Sequence, residues 1–231
     1  MDNTIRSVAV WGDSLAKGVI WNPQRQRHTA LDITAASVAA DRLGVRLENR
    51  ARFGFTAPRG SELLENDLES GVVTDAALLE FGGNDCNFDW AAISENPDAV
   101  HEPATKPDVF YRTLCGMVKR LYDARVKPIL LTLPPIDAER YFRFLVGDRL
   151  NGNNILKWLG DKQQIYRFQE LYSNLVQRVA ARTQCMLLDV RSRCLANHRM
   201  PELLCEDGLH LTREGQVFVG ETIAEIIEQG E

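Results

Sequence analysis

The chain has 231 residues, 45% of them hydrophobic and 26% charged, with a net charge of −5. That balance is ordinary for a globular protein with a sizeable core, and it excludes the basic footprint of a nucleic-acid binder. Five cysteines (Cys86, Cys115, Cys185, Cys194 and Cys205) form no C-x-x-C pair, which points to reduced thiols in a cytoplasmic setting rather than to a disulfide framework.

The first apolar run, Val8–Trp11, is too short for a signal-peptide core or a membrane span. It reads as part of a strand, Ser7–Trp11, that runs into the small polar turn Gly12-Asp13-Ser14-Leu15. An Ala-rich helix is expected over Leu31–Leu43, with Gly44 as its stop. A second strand follows at Val45–Asn49 and a third at Ala76–Phe81. The segment Asp108–Ala124 places Phe110, Leu114, Met117, Val118 and Leu121 on one helical face. Strand Pro128–Leu133, helix Gln163–Arg182, strand Cys185–Val190 and helix Arg213–Glu228 complete the series, the last helix with Thr212 as N-cap.

The strands are nearly continuous apolar runs, as in a parallel sheet buried on both faces. Their alternation with helices predicts an open, doubly wound α/β sheet. Two long connections, 84–107 and 134–162, leave the C-terminal ends of strands, where such sheets bind ligands. No linker or repeat divides the chain, so one domain over residues 1–231 is expected.

Taken alone, Gly-Asp-Ser is an inexpensive turn, since glycine and aspartate favour turns for conformational reasons. A serine becomes a nucleophile only beside a base. Of the four histidines, His28 lies in the basic stretch NPQRQRHT, His101 in a proline-flanked loop and His198 in ANHRMPE; all three read as solvated. His210 differs, because Asp207 precedes it by three residues across the turn glycine Gly208. A carboxylate on one ring nitrogen fixes the tautomer and leaves the other free to accept a serine proton. An oxyanion also needs donors. Candidates are the Asn84 amide in Gly82-Gly83-Asn84-Asp85, at the end of the third strand, and the backbone of Gly54 after the second. Cys86 reads as a packed thiol. The aromatic residues Phe88, Trp90, Tyr141, Phe142, Phe144 and Trp158 of the long connections are equally suited to capping a core or lining a pocket, and Arg140, Arg143 and Arg149 to a solvated charged surface.

The joint order of these signals, Ser14 after the first strand, Gly54 after the second, Asn84 after the third and His210 after the last, resembles the SGNH or GDSL hydrolase family. Gly12–Leu15, Gly82–Asp85 and Asp207–His210 match three of its blocks, and Gly54 matches the remaining one by position. Leu211 stands where many members carry proline. The resemblance implies a three-layer α/β/α fold with a flavodoxin-like, doubly wound five-stranded parallel sheet. It also implies hydrolysis of carboxylic esters or thioesters with no cofactor and no metal. Carried over by position, Ser14 is the nucleophile, His210 the general base and Asp207 its orienting partner. The Ser14 N–H, the Gly54 N–H and the Asn84 side chain form the oxyanion hole. The expected substrate is a small acylated or acetylated molecule, such as an acetylated carbohydrate, with no nucleic-acid partner. Two other readings stay open: a non-catalytic ligand-binding module retaining the fold, and a nucleotide- or flavin-binding protein, although no phosphate-cradling glycine loop is present.

Overall fold

A computed structural model describes residues 5–230. Its central sheet has the order β4-β1-β5-β6-β7, all neighbours parallel, with β1 at Ser7–Gly12, β4 at Arg46–Asn49, β5 at Ala76–Glu80, β6 at Lys127–Leu131 and β7 at Met186–Leu188. An antiparallel hairpin, β2 (Val19–Asn22) and β3 (Arg27–Ala30), follows β1 directly.

Strand pleating divides the interior in two. Ala9, Trp11, Ala77 and Leu79 point to one face, where they pack under α2 (Ala57–Glu69), α4 (Pro107–Asp123) and α7 (Gln163–Thr183). Val10, Leu78, Ile129 and Leu131 point to the other, beneath α1 (Ala35–Leu43), α8 (Val190–Ala196) and α9 (Arg213–Gln229). Each face thus takes alternate residues of the same apolar run, which is why these strands carry no polar alternation. The result is the three-layer α/β/α arrangement expected from the sequence.

The ends of the helices follow local chemistry. Thr34 caps α1 in a reciprocal box with Ser37, so the helix begins at Ala35 and not at Leu31; Leu31–Ile33 form the short connection from β3, which ends at Ala30. Gly44 closes it in the left-handed conformation, φ 66°. Thr212 Oγ1 accepts the Gly215 N–H at 3.1 Å to start α9. Strand β7 stops at Leu188 because Asp189 turns the chain and caps α8.

The two long connections are not bare loops. They contain α3 (Trp90–Glu95), α5 (Ala138–Val146) and α6 (Gly152–Leu159). Trp90, Ile93, Tyr141, Phe142, Ile155 and Leu159 bury against one another there as a separate apolar cluster. Among the described residues no helix is long and apolar enough to cross a membrane.

Candidate active site

Strand β1 delivers Ser14 to the C-terminal rim of the sheet. The Asp13 carboxylate accepts the Leu15 N–H at 2.9 Å, and the Ser14 carbonyl accepts the Val19 N–H at 2.9 Å, so the turn is fixed from both sides. Gly12 is needed at its start, because a Cβ there would lie 2.8 Å from the Glu80 carbonyl of the neighbouring strand.

His210 reaches the same rim from the segment before α9. Its carbonyl accepts the Cys205 N–H at 2.8 Å, and Leu204 bridges to Leu211, closing a narrow turn. Gly208 sits in this turn at φ 70°, with the Asp137 carbonyl accepting nothing from it but lying 2.6 Å from where a Cβ would be. The Gly208 carbonyl in turn accepts the Asp137 N–H at 2.9 Å, tying the turn to the start of α5.

These two segments, 196 residues apart, meet at a hydrogen bond of 2.9 Å between Ser14 Oγ and His210 Nε2. His210 Nδ1 lies 2.6 Å from Asp207 Oδ2, while Asp207 Oδ1 accepts the N–H groups of Leu209 and His210, each at 3.0 Å. Burial opposes the Asp207 charge, but the His210 side chain and these backbone donors outweigh it and lower its pKa to about 2. An ionised carboxylate only accepts. The His210 nitrogen facing it therefore carries the proton, and Nε2 is left to accept the Ser14 hydroxyl.

Asn84 follows β5 and points its amide into the same region. Its Nδ2 donates to Asp13 Oδ2 at 3.0 Å and to the Phe55 carbonyl at 3.2 Å, which brings the loops after β1, β4 and β5 together. Gly54 lies beside that carbonyl at φ 74°, a backbone conformation that side chains resist; Phe53, next to it, lines the cavity. Behind Asn84, Asp13 and Glu80 are a buried carboxyl pair. Burial first, and then the Asp13 charge, hold Glu80 well above the ordinary carboxylate range. Its Oε1 is sealed from water without a hydrogen-bond partner, which favours the protonated form.

A cavity of about 100 Å³ opens beside Ser14 and His210, walled chiefly by Trp90, Ile136, Tyr141, Ile165 and Phe168. Of the aromatic residues in the long connections, Trp90 and Tyr141 form the side of the separate apolar cluster that faces the cavity, and Phe88, Phe142 and Trp158 lie in that cluster without lining it. Cys86 also lines the cavity; burial raises its thiol pKa, so it stays a thiol. Arg140 pairs with Asp137 at 3.1 Å, and Glu139 pairs with Lys162 at 2.8 Å. His198 is exposed, and His101 lies 2.8 Å from the Asn96 carbonyl.

One expectation is corrected. His28 is not a solvated loop residue: it stands on β3, half-buried, with Nε2 3.1 Å from Asp207 Oδ2. Its ring centroid lies 4.8 Å from that of His210. The sequence did hold a signal for it, since VIWN and RHTA flank the turn residues Pro23–Gln26 as hairpin arms. The polar turn between them obscured the pairing. The donor atoms of His28, Asp207 and His210 all lie within 4.8 Å of one another. At 2.6 and 3.1 Å, however, the nitrogen–oxygen separations are those of direct hydrogen bonds, and the group reads as such.

The sequence matches the family model of GDSL-like lipases/acylhydrolases over residues 10–217. Similar structures include a lipase/acylhydrolase from Enterococcus faecalis, at 18% identity with 97% of each chain covered and a TM-score of 0.68. Another is a GDSL-like lipase from Bacteroides thetaiotaomicron, at 17% identity over 98% of this chain and 89% of that one, TM-score 0.61. A third is the acetyl xylan esterase AlAXEase, at 19% identity over 96% of this chain and 99% of that one, TM-score 0.63. No curated protein matches the sequence. With nine-tenths of its length accounted for by that one model, the chain belongs to the GDSL-like lipase/acylhydrolase family, the SGNH-type ester hydrolases.

Proposed function

We propose that this protein is a serine esterase, one SGNH hydrolase domain, that cleaves carboxylic esters through an acyl-enzyme on Ser14. The observation that carries the reading is the unbroken line from Ser14 Oγ to His210 Nε2 and from His210 Nδ1 to Asp207 Oδ2, at 2.9 and 2.6 Å. In this reading His210 takes the Ser14 proton as Oγ bonds to the ester carbon, and Asp207 stabilises the imidazolium that results. The carbonyl electrons move onto oxygen, where the Asn84 amide and the N–H groups of Ser14 and Gly54 receive the negative charge. Collapse of that intermediate expels the alcohol, which takes the proton from His210. Water, activated by the same base, then releases the acid and restores Ser14.

The cavity supports a short acyl group. Its volume of about 100 Å³ is smaller than the roughly 150 Å³ of an apolar cavity that holds one benzene, and its walls offer hydrocarbon rather than charge. We carry an acetylated carbohydrate as the substrate class; thioesters with equally short acyl groups fit the same cavity. The five free thiols are in keeping with a reducing, cytoplasmic setting.

The decisive experiment pairs p-nitrophenyl ester hydrolysis with fluorophosphonate labelling. Wild-type protein is expected to hydrolyse the acetyl and butyryl esters and to be labelled at Ser14; Ser14→Ala loses both properties and melts at an unchanged temperature. Hydrolysis that survives in Ser14→Ala refutes the nucleophile. A wild-type protein that neither hydrolyses nor labels is a binding module. Acyl chains of eight carbons or more should turn over markedly more slowly, and a preference for them contradicts the short-chain reading.

A further inference from the structure

Asp207 receives more hydrogen bonds than a serine–histidine–aspartate line requires. Oδ1 accepts two backbone N–H groups, and Oδ2 faces two imidazole nitrogens, His210 Nδ1 at 2.6 Å and His28 Nε2 at 3.1 Å. Because the carboxylate is ionised, both nitrogens carry protons toward it, and its four acceptor directions are filled. The second imidazole arrives by a specific route. Hairpin β2–β3 leaves the Ser14 turn and pairs Trp21 with His28, and the Trp21 and Phe144 rings pack edge-on against the histidine, with Phe53 tilted beside it. Among the described residues, the titratable groups in contact with His28 are Asp207 and, across a ring-to-ring gap of 4.8 Å, His210.

We propose that His28 is a positioning residue for the Asp207–His210 pair: the hairpin places a second N–H on Asp207 Oδ2, which fixes the rotation of the carboxylate and, through it, the imidazole that serves Ser14. This rests on the esterase reading above. His28 does not reach the reacting atoms in this account; it acts through Asp207. Two consequences follow from dividing one carboxylate between two rings. Loss of His28 frees the carboxylate to rotate, which lowers turnover. It also leaves the whole carboxylate charge to His210, which then holds its proton more tightly.

The test compares wild type, His28→Phe and His28→Gln for p-nitrophenyl acetate hydrolysis from pH 5 to 9, together with melting temperature. Phenylalanine keeps the ring contacts and removes the N–H; glutamine restores an N–H at a similar reach. His28→Phe is expected to lose about tenfold in kcat with KM little changed, and its acidic limb of kcat/KM moves to higher pH by about half a unit or more. His28→Gln recovers most of the turnover. A His28→Phe enzyme with wild-type kcat and an unshifted profile overturns the proposal, as does a loss that lies in KM or that glutamine fails to rescue. The downfield proton resonance of His210 Nδ1–H separates this proposal from the esterase reading, because it needs no turnover. If it moves in His28→Phe and returns in His28→Gln while wild type fails to hydrolyse esters, the esterase reading alone is lost. An unmoved resonance sinks the role of His28 even in an active esterase.

Discussion

Asn84 commits its amide nitrogen to two acceptors inside the protein, Asp13 Oδ2 and the Phe55 carbonyl. In the proposed mechanism an oxyanion at Ser14 draws on that donor, and the contact to Phe55, at 3.2 Å, is the longer of the two. The charge on Asp13 holds the amide in place from behind, so the donor is oriented before substrate binds. Asn84→Ala is therefore expected to reduce kcat by about a hundredfold or more, measured at saturating p-nitrophenyl acetate. A loss confined to KM speaks against a role in receiving the oxyanion. Ser14, Asn84 and His210 stood out in the sequence as candidates for a simple reason: each stands just after a strand or just before a helix, where a turn signature and a chemical group coincide. His28 carried no such coincidence, since its place beside Asp207 depends on how a hairpin folds over the rim.

Elements show the same division between what local patterns reveal and what packing decides. The sheet strands were readable to within a few residues because burial on both faces leaves uninterrupted apolar runs. Helix α2 was not, since its sequence APRGSELLENDLE opens with proline and glycine and is largely polar. Its physical logic is tertiary. Proline suits a first helical turn, and Gly60 lets the helix lie against Phe81, whose ring would be 2.1 Å from any Cβ there. The helices inside the long connections escaped notice because their apolar residues serve a small separate cluster rather than the sheet. The turn between Leu204 and Leu211 offers the sharpest prediction at this scale. Gly208→Ala forces a Cβ into a left-handed residue and to within 2.7 Å of the Tyr141 nitrogen as well as the Asp137 carbonyl. It should cost roughly 2 kcal/mol or more in stability and lower kcat, because Asp207 and His210 ride on that turn. A denaturation midpoint equal to wild type contradicts this.

For the molecule as a whole, the buried Asp13–Glu80 pair makes stability depend on pH. The folded chain holds the Glu80 proton more tightly than the unfolded chain does. Its contribution is accordingly full below the ordinary carboxylate value of 4.5 and is lost as pH climbs through the raised folded value. Asp207 works in the opposite sense: its contribution is fully present above the ordinary 3.8 and is lost as the solution is acidified through the folded value of about 2. Glu80→Gln keeps an oxygen for the Asp13 and Ala16 N–H groups, which Glu80 Oε2 now accepts at 3.4 and 3.3 Å, and cannot ionise. The variant should therefore gain stability relative to wild type between pH 5 and pH 8, read from urea midpoints. A constant difference across that range shows that Glu80 does not hold its proton in the native state. The three-layer architecture was legible from alternation of apolar strands and helices; this proton balance was not, because it arises only when residues 67 positions apart are sealed together.

The wall of the cavity and the residues proposed to react are anchored to different foundations. Ser14 and Asn84 hang from strands β1 and β5, whereas Trp90 and Tyr141 rest on the cluster gathered by α3, α5 and α6. Such an arrangement lets the vestibule drift under mutation while the chemistry beneath it stays put. Lineages descended from this scaffold can thus acquire new tastes for acyl groups by repacking a handful of side chains, without reopening the question of how the protein folds.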